Sequence, residues 1–190
     1  LTIYAGGEEQ QSVVLTVSDR GVINAPFIGP VKAAGLTPMQ LEEKVRDLLV
    51  GAGLQETITY SMSSLESAAK LIPGALAPGG GDAPDAADYV QLANPLTPER
   101  SVMRRTLMAS LLETMRDNLR FVQRIAHFEV ARVYWPREGE TLPEEPRHLC
   151  ITLTGPRRPG SWPSVSETTN AKSATESRPV TMCESFIDCF

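Results

Sequence analysis

Histidine is scarce in this chain. There are two, His127 and His148, and neither has a serine or cysteine with a neighbouring acid in a motif that would make a nucleophile. Catalysis from within the chain is therefore not expected. Cysteine is scarce too, at three residues. Cys150 falls in a predicted strand and reads as a small buried hydrophobe, whereas Cys183 and Cys189 stand near the end with no histidine close by. A structural zinc needs four ligands at recognisable spacing, so no metal centre is expected. No apolar run approaches membrane-spanning length. Positive charge is not in excess: 18 Lys and Arg against 23 Asp and Glu leave a net charge of -5. That balance argues against broad adhesion to nucleic acid but not against a local basic patch. The chain opens at Leu1, with neither a methionine nor a signal-peptide pattern, and so reads as an internal fragment or a processed product. What is present, 42% hydrophobic and 22% charged residues over 190 positions, is the composition of a globular protein with one ordinary domain or two small ones.

The stretch from Asn94 to Tyr134 carries the clearest pattern. Asn94-Pro95 and Thr97-Pro98 mark a turn, because the residue before a proline is pushed out of the α region and Asn or Thr can bond nearby backbone. The spacing then predicts a helix with Leu107, Leu111, Leu112, Met115, Leu119 and Val122 on one stripe, and Glu113, Arg116, Asp117 and Arg120 mostly off it. Met103, Met108 and Met115 read as ordinary packing residues. A strand is predicted from His127 to Tyr134, with Phe128, Val130 and Tyr134 on one face, Ala131, Val133 and Trp135 on the other, and Arg132 interrupting the first. A strand apolar on both faces belongs inside a sheet covered by helices, so an α+β layer is expected.

Before that stretch, Val13–Val17 and Val22-Ile23 read as two short strands joined by a turn at Ser18-Asp19-Arg20-Gly21. Pro26, Gly29 and Pro30 predict an irregular crossing. Thr37, Pro38 and Gln40 open a helix with a capping box, Leu41, Val45, Leu48 and Leu49 form its stripe, and Gly51 and Gly53 end it. Thr57 to Met62 reads as a strand with Ile58, Tyr60 and Met62 on one face and Thr57, Thr59 and Ser61 on the other, the latter open to a partner or solvent. Ser64 to Leu71 reads as a short helix, Pro73 to Asp88 as a mobile loop, and Tyr89 to Leu92 as a short strand. Gly79-Gly80-Gly81 lacks the following lysine, serine or threonine of a phosphate loop. Pro136 to Arg147 reads as an exposed connection, Leu149 to Thr154 as a strand ended by Gly155, and the Ser- and Thr-rich tail from about Pro163 as disordered, with Phe186, Ile187 and Phe190 a weak docking patch.

Several of these blocks occur together in one family. Asn94-Pro95-Leu96, Ser101-Val102-Met103-Arg104, Leu111-Leu112-Glu113-Thr114, Asn118-Leu119 and Phe128-Glu129-Val130-Ala131-Arg132-Val133 resemble the phenylalanine-tRNA ligase beta chain, as do the run from Arg46 to Glu56, Ile58-Thr59-Tyr60-Ser61, and Leu149 to Trp162. The resemblance, over about residues 46–162, implies the catalytic-like module of that chain: a partial class II synthetase fold, α+β, with an antiparallel sheet and helices on one side. It implies no aminoacylation by the module itself, assembly with a catalytic alpha chain into a tetramer of two alpha and two beta chains, tRNA contact only indirectly, and a cytoplasmic location. ATP and magnesium are implied for the whole enzyme and no cofactor for this chain. The later part of the module and the family's editing domain have no counterpart here, so proofreading is not expected. The opening is different. Val17-Ser18, Gly21, Ile23, Pro26, Gly29, Val31, Gly35, Thr37 and Leu41 resemble the N-terminal domain of bacterial polysaccharide export proteins, which implies the alternative of a periplasmic or outer-membrane ring of like copies. The acidic magnesium ligands of the beta chain family are not recognisable before Arg46. The expected organisation is thus composite: a β/α segment over 1–50, the partial module over 51–162 and a disordered tail over 163–190, with a plain divergent beta chain or a fused product as the alternatives.

Arg100, Arg104, Arg105, Arg116, Arg120 and Arg124 gather positive charge about one helix, and guanidinium forks suit phosphates as well as carboxylates. RNA contact competes with pairing to Glu99, Glu113, Asp117 and Glu129 on a solvated surface, and the pairing is the preferred reading. In a class II synthetase an arginine on the strand of the second motif grips ATP, and Arg132 has a similar setting. The beta-chain resemblance implies instead that Glu129 and Arg132 form a structural pair. His127 reads as a satisfied polar strand terminus. No catalytic, cofactor-binding or metal residue is assigned; Asn94, Arg104, Arg105, Glu129 and Arg132 are the candidate interface or structural residues.

Overall fold

The computed structural model describes residues 17–25, 28–71 and 84–155, together with the backbone of strands at 2–3, 11–12 and 180–186. In chain order the elements are β1 (Thr2–Ile3), β2 (Gln11–Ser12), β3 (Val22–Ala25), β4 (Gly29–Lys32), α1 (Pro38–Gly51), β5 (Gln55–Glu56), β6 (Met62–Ser63), α2 (Leu65–Ala69), β7 (Val102–Met103), α3 (Met108–Asn118), β8 (Ile125–Arg132), β9 (Arg147–Thr154) and β10 (Val180–Phe186). Single 3-10 turns occupy Ala86–Asp88 and Pro98–Arg100.

The central sheet runs β10-β9-β8-β5. Strands β8 and β9 pair antiparallel over their whole length, from Ile125 opposite Thr154 to Arg132 opposite Arg147. Strand β5 joins the other edge in parallel, with Gln55 opposite His127. The sheet is therefore mixed, where an antiparallel one was expected. Its helices also lie on both faces and not on one. Phe128 and Val130 of β8, with Leu149 and Ile151 of β9, pack against Leu41, Val45 and Leu49 of α1 and against Ile23 and Val31 of the β3–β4 hairpin. On the opposite face Val133 and Cys150 pack with Leu107, Met108 and Leu111 at the start of α3. The cause is the two-faced apolar character of β8, since each face needs its own cover. Residues 22–49 thereby share one core with the strands of the expected 51–162 module.

Local chemistry sets the helix ends. Thr37 accepts from Gln40 N, and the Gln40 side chain accepts from Thr37 N at 2.9 Å, so the expected capping box is formed. At the other end of α1, Gly53 takes φ 87°, Gly53 N–H donates to Val50 O and Leu54 N–H donates to Leu49 O. That pair of hydrogen bonds is the Schellman closure, and Leu54 packs against the cluster that holds Leu49. Helix α2 is capped by Ser64, which accepts from Ser67 N at 3.1 Å. Helix α3 stops at Asn118, earlier than the stripe implies, leaving Leu119, Phe121 and Val122 exposed. The chain must reverse there to enter β8, and the turn is pressed against Gly155, where any Cβ would collide with the backbone of Gln123 and Arg124.

Other expectations are corrected. The N-terminal hairpin lies between Val22–Ala25 and Gly29–Lys32, where an irregular crossing was expected; Pro30 is accommodated because the ladder has only two strands. The expected partner at Val13–Val17 lies largely outside the described residues, as does most of the loop predicted from Pro73. Tyr89–Leu92 makes only a single bridge, Gln91 to Val102. Cys150 is fully buried, as expected, but is disulfide-bonded and so not a simple hydrophobe. The tail forms strand β10 over Val180–Phe186 where disorder was expected; ladder bonds to β9 order it. Ile187 and Phe190 of the suggested docking patch lie outside the described residues.

Leu111 has no exposed surface, whereas Leu112 is only partly buried at the edge of the same cluster. Leu111→Ala should therefore lower unfolding free energy by about 2–5 kcal/mol, and Leu112→Ala by clearly less, in urea titrations of the two variants.

Candidate functional site

The candidate residues converge on one buried ion pair. Arg104 follows β7 and Glu129 sits in mid-β8, and their side chains meet at 2.9 Å with 3% and 2% of their surface exposed. The guanidinium also donates to Thr59 Oγ1 at 2.8 Å and to Arg132 O at 3.1 Å. Glu129 in turn accepts from Thr59 N at 3.2 Å and from Thr59 Oγ1 at 2.7 Å. Backbone bonds extend the junction: Arg104 N–H donates to Ser61 O at 2.9 Å, and Tyr134 N–H donates to Arg104 O at 2.9 Å. The expected Glu129–Arg132 pair does not form. Successive residues alternate faces, so Arg132, three positions on, projects from the opposite face and binds Glu145 at 2.8 Å in an exposed setting.

Thr59 was missed as a site residue. Thr59, on the face expected to be open to a partner or solvent, is turned inward, while Ile58 and Tyr60 are 88% and 63% exposed. A hydrophobicity pattern cannot show this, because the buried partners of Thr59 are ionic groups far away in sequence. The ladder is also shorter, confined to Gln55–Glu56 and Met62–Ser63.

The remaining candidates are dispersed. Asn94 is exposed in the proline turn. Arg105 faces Asp88 at 3.9 Å and lies 5.5 Å from the Tyr89 ring, and burial raises the Tyr89 phenol above its usual range against the opposing effect of Arg105. Arg116 pairs with Asp117 at 2.9 Å. A second ionic cluster, also unforeseen, joins α1 to the sheet: Arg46 binds Glu42 at 2.6 Å, Val130 O at 2.9 Å and Glu56, while Arg147 binds Glu42. An open groove of about 550 Å³ lies between the 58–64 segment, α2 and the polar face of α3.

The family model described as the phenylalanyl-tRNA synthetase beta chain CLM domain matches residues 26–176. The chain belongs to this family. The match begins at residue 26, well before the Arg46 limit of the recognisable motifs, and spans β4, α1 and the Arg104–Glu129 junction, leaving β3 outside it. Among relatives, the phenylalanine–tRNA ligase beta subunit of Geobacter metallireducens is 37% identical over 124 residues, covering 65% of this chain and 15% of its own length. That of Syntrophus aciditrophicus is 34% identical over 149 residues, covering 76% and 18%. The chain thus spans about 15% of the length of the relatives it matches first. Among solved structures, a pyrrolysyl-tRNA synthetase from Desulfitobacterium hafniense superposes with a TM-score of 0.48 at 22% identity, over 62% of this chain and 38% of that one.

The family's ATP and magnesium do not fit the residues of this site. Every Glu129 oxygen is engaged by Thr59 or Arg104, and Arg132 is held by Glu145. No cluster of His, Cys, Asp or Glu suited to a metal ion occurs among the described residues.

Two measurements follow from this geometry. Removing one member of a buried ion pair strands the other, so Arg104→Met and Glu129→Leu should each cost about 3–5 kcal/mol, and the double variant should be less damaged than the sum of the two. Urea titration of all four proteins supplies the cycle. His127 is not the satisfied strand terminus expected: it lies within β8, opposite Thr152, and its Nδ1 has no hydrogen-bond partner among the described residues. Burial lowers its pKa below the ordinary 6.5. The unfolded chain then binds more protons once the pH drops below that value, so the contribution of His127 to stability falls as the pH falls from about 6.5 toward the folded-state pKa. Melting curves between pH 5 and pH 8 should show this slope flattened in His127→Gln.

Proposed function

We propose that the chain serves as a non-catalytic part of a phenylalanine–tRNA ligase beta subunit, assembling with the catalytic alpha chain of an enzyme that uses ATP and magnesium to join phenylalanine to tRNA. The observation that carries this reading is the Arg104–Glu129 junction inside a chain of this family: the charges that a nucleotide or an RNA would need are engaged with each other. They hold the β8 strand against the 59–61 segment and leave structure as their role. The interface role of Asn94, Arg105 and Arg132 is part of this proposal. The arginines on and after α3 are interleaved with acids in a chain of net charge -5, which favours a protein partner over an RNA groove. On this reading the location is cytoplasmic. Among the described residues no helix is long and apolar enough to cross a membrane. The polysaccharide-export resemblance of residues 1–50 draws less support, because Ile23, Val31 and α1 bury their apolar side chains on β8 and β9.

Titration of the chain with alpha chain and with tRNA, each at low and moderate salt, is the test. Saturable alpha-chain binding that changes little with salt is expected, together with tRNA binding no tighter than nonspecific. Tight tRNA binding that falls steeply with salt and is lost in an Arg105→Ala, Arg120→Ala variant, with no alpha-chain binding, would overturn the assignment. Purified alone, the chain should support no phenylalanine-dependent pyrophosphate exchange.

A further inference from the structure

The segment between β5 and β6 is an extended edge with one side tied down and the other open. Thr57 N–H donates to Phe128 O at 2.8 Å, Thr59 is held by Glu129 through both its N–H and its hydroxyl, and Ser61 O accepts from Arg104 N–H. Odd-numbered residues thus face the sheet. Tyr60 O also turns to this side, accepting from Arg104 Nη1 at 3.4 Å, whereas the N–H groups of Ile58 and Tyr60 have no hydrogen-bond acceptor among the described residues. Natural edges are commonly guarded by charge or proline. Thr57–Met62 contains neither, and it presents Ile58 and Tyr60 to solvent.

The surroundings indicate what such an edge accepts. The adjoining groove carries Glu66, Glu99, Glu113 and Asp117 against Lys70, Arg100 and Arg116. All three cations are already engaged: Lys70 lies between Glu66 and Glu113 at 3.4 and 3.7 Å, Arg116 binds Asp117, and the Arg100 guanidinium stacks 3.5 Å from the centre of the Tyr60 ring. Glu99 has no cation partner among the described residues, and its own backbone N–H and the Thr97 side chain hold its carboxyl below the usual range. The rim therefore offers unneutralised negative charge beside an uncharged strand.

We infer that Arg104, Glu129 and Thr59 form a clamp whose role is to turn Ile58 and Tyr60 outward, and that the edge so presented receives an extended, apolar segment of the alpha chain flanked by basic residues. Strand addition draws affinity from main-chain hydrogen bonds and specificity from alternate side chains, the two things this edge supplies. Thr59 is a positioning residue in this scheme, and Ile58 is the contact. The inference rests on the assembly reading above, and the experiment separates the two.

Alpha-chain affinity is measured for the unaltered chain, Ile58→Asp, Thr59→Val, Thr59→Ser and Glu99→Lys, with melting temperature recorded for each. Ile58→Asp should weaken binding by about tenfold or more with no change in melting temperature, since the side chain is exposed. Thr59→Val should weaken it likewise and Thr59→Ser should restore it, while Glu99→Lys should weaken it by a smaller factor that fades at higher salt. Hydrogen exchange at the Ile58 and Tyr60 amides should slow in the complex. Failure of the unaltered chain to bind sinks the assembly reading and this inference together. Normal binding by both Ile58→Asp and Thr59→Val, with both amides unprotected, would overturn this inference alone and leave assembly standing. Self-association of the chain abolished by Ile58→Asp, without alpha-chain binding, would assign the edge to a second copy instead.

Discussion

The buried pair of Arg104 and Glu129 is the constraint on which the rest of this arrangement depends. Two charges with 3% and 2% of their surface exposed persist only when every remaining donor and acceptor around them is satisfied. Here the satisfying groups are the Thr59 hydroxyl and N–H and the backbone carbonyl of Arg132. Those groups come from segments distant in sequence, so neutralising the pair also fixes the path of each segment relative to β8. The same requirement turns Ile58 and Tyr60 outward.

A second constraint is the apolar character of β8 on both faces. One face demands α1 and the β3–β4 hairpin, the other demands the start of α3, and the Glu129 junction is set into the α3 side between them. The same two-sided cover makes residues 22–49 part of the same packed unit as the strands. The Glu42, Arg46, Glu56 and Arg147 cluster, with the Val130 carbonyl, reinforces this join by linking α1 to β5, β8 and β9 at a half-buried surface.

For function, the consequence is that ionic residues resembling ligands in a synthetase setting are engaged in ion pairs in this chain. Arg132 stands on the strand where a nucleotide-gripping arginine would be sought, yet it is exposed and paired with Glu145. An arginine on such a strand signals nucleotide binding only if its face of the sheet is open and its charge is free, and neither condition is visible in a motif.

Much of the local structure was determined by the sequence alone. The capping box at Thr37, the Gly53 closure, the Ser64 cap, the burial of Leu111, Met115 and Phe128 and the two-faced β8 all follow from short-range chemistry or periodicity, which act between residues a few positions apart. The family, too, was legible in ordered blocks of residues. Only the tertiary structure decided the placement of helices on both faces, the parallel entry of β5, the early end of α3, and the partner of Glu129. The reason is the same each time. A half-buried polar side chain such as Thr59 is inward-facing because of charges at Arg104 and Glu129, 45 and 70 positions away, and a hydrophobicity pattern assigns such a residue to solvent.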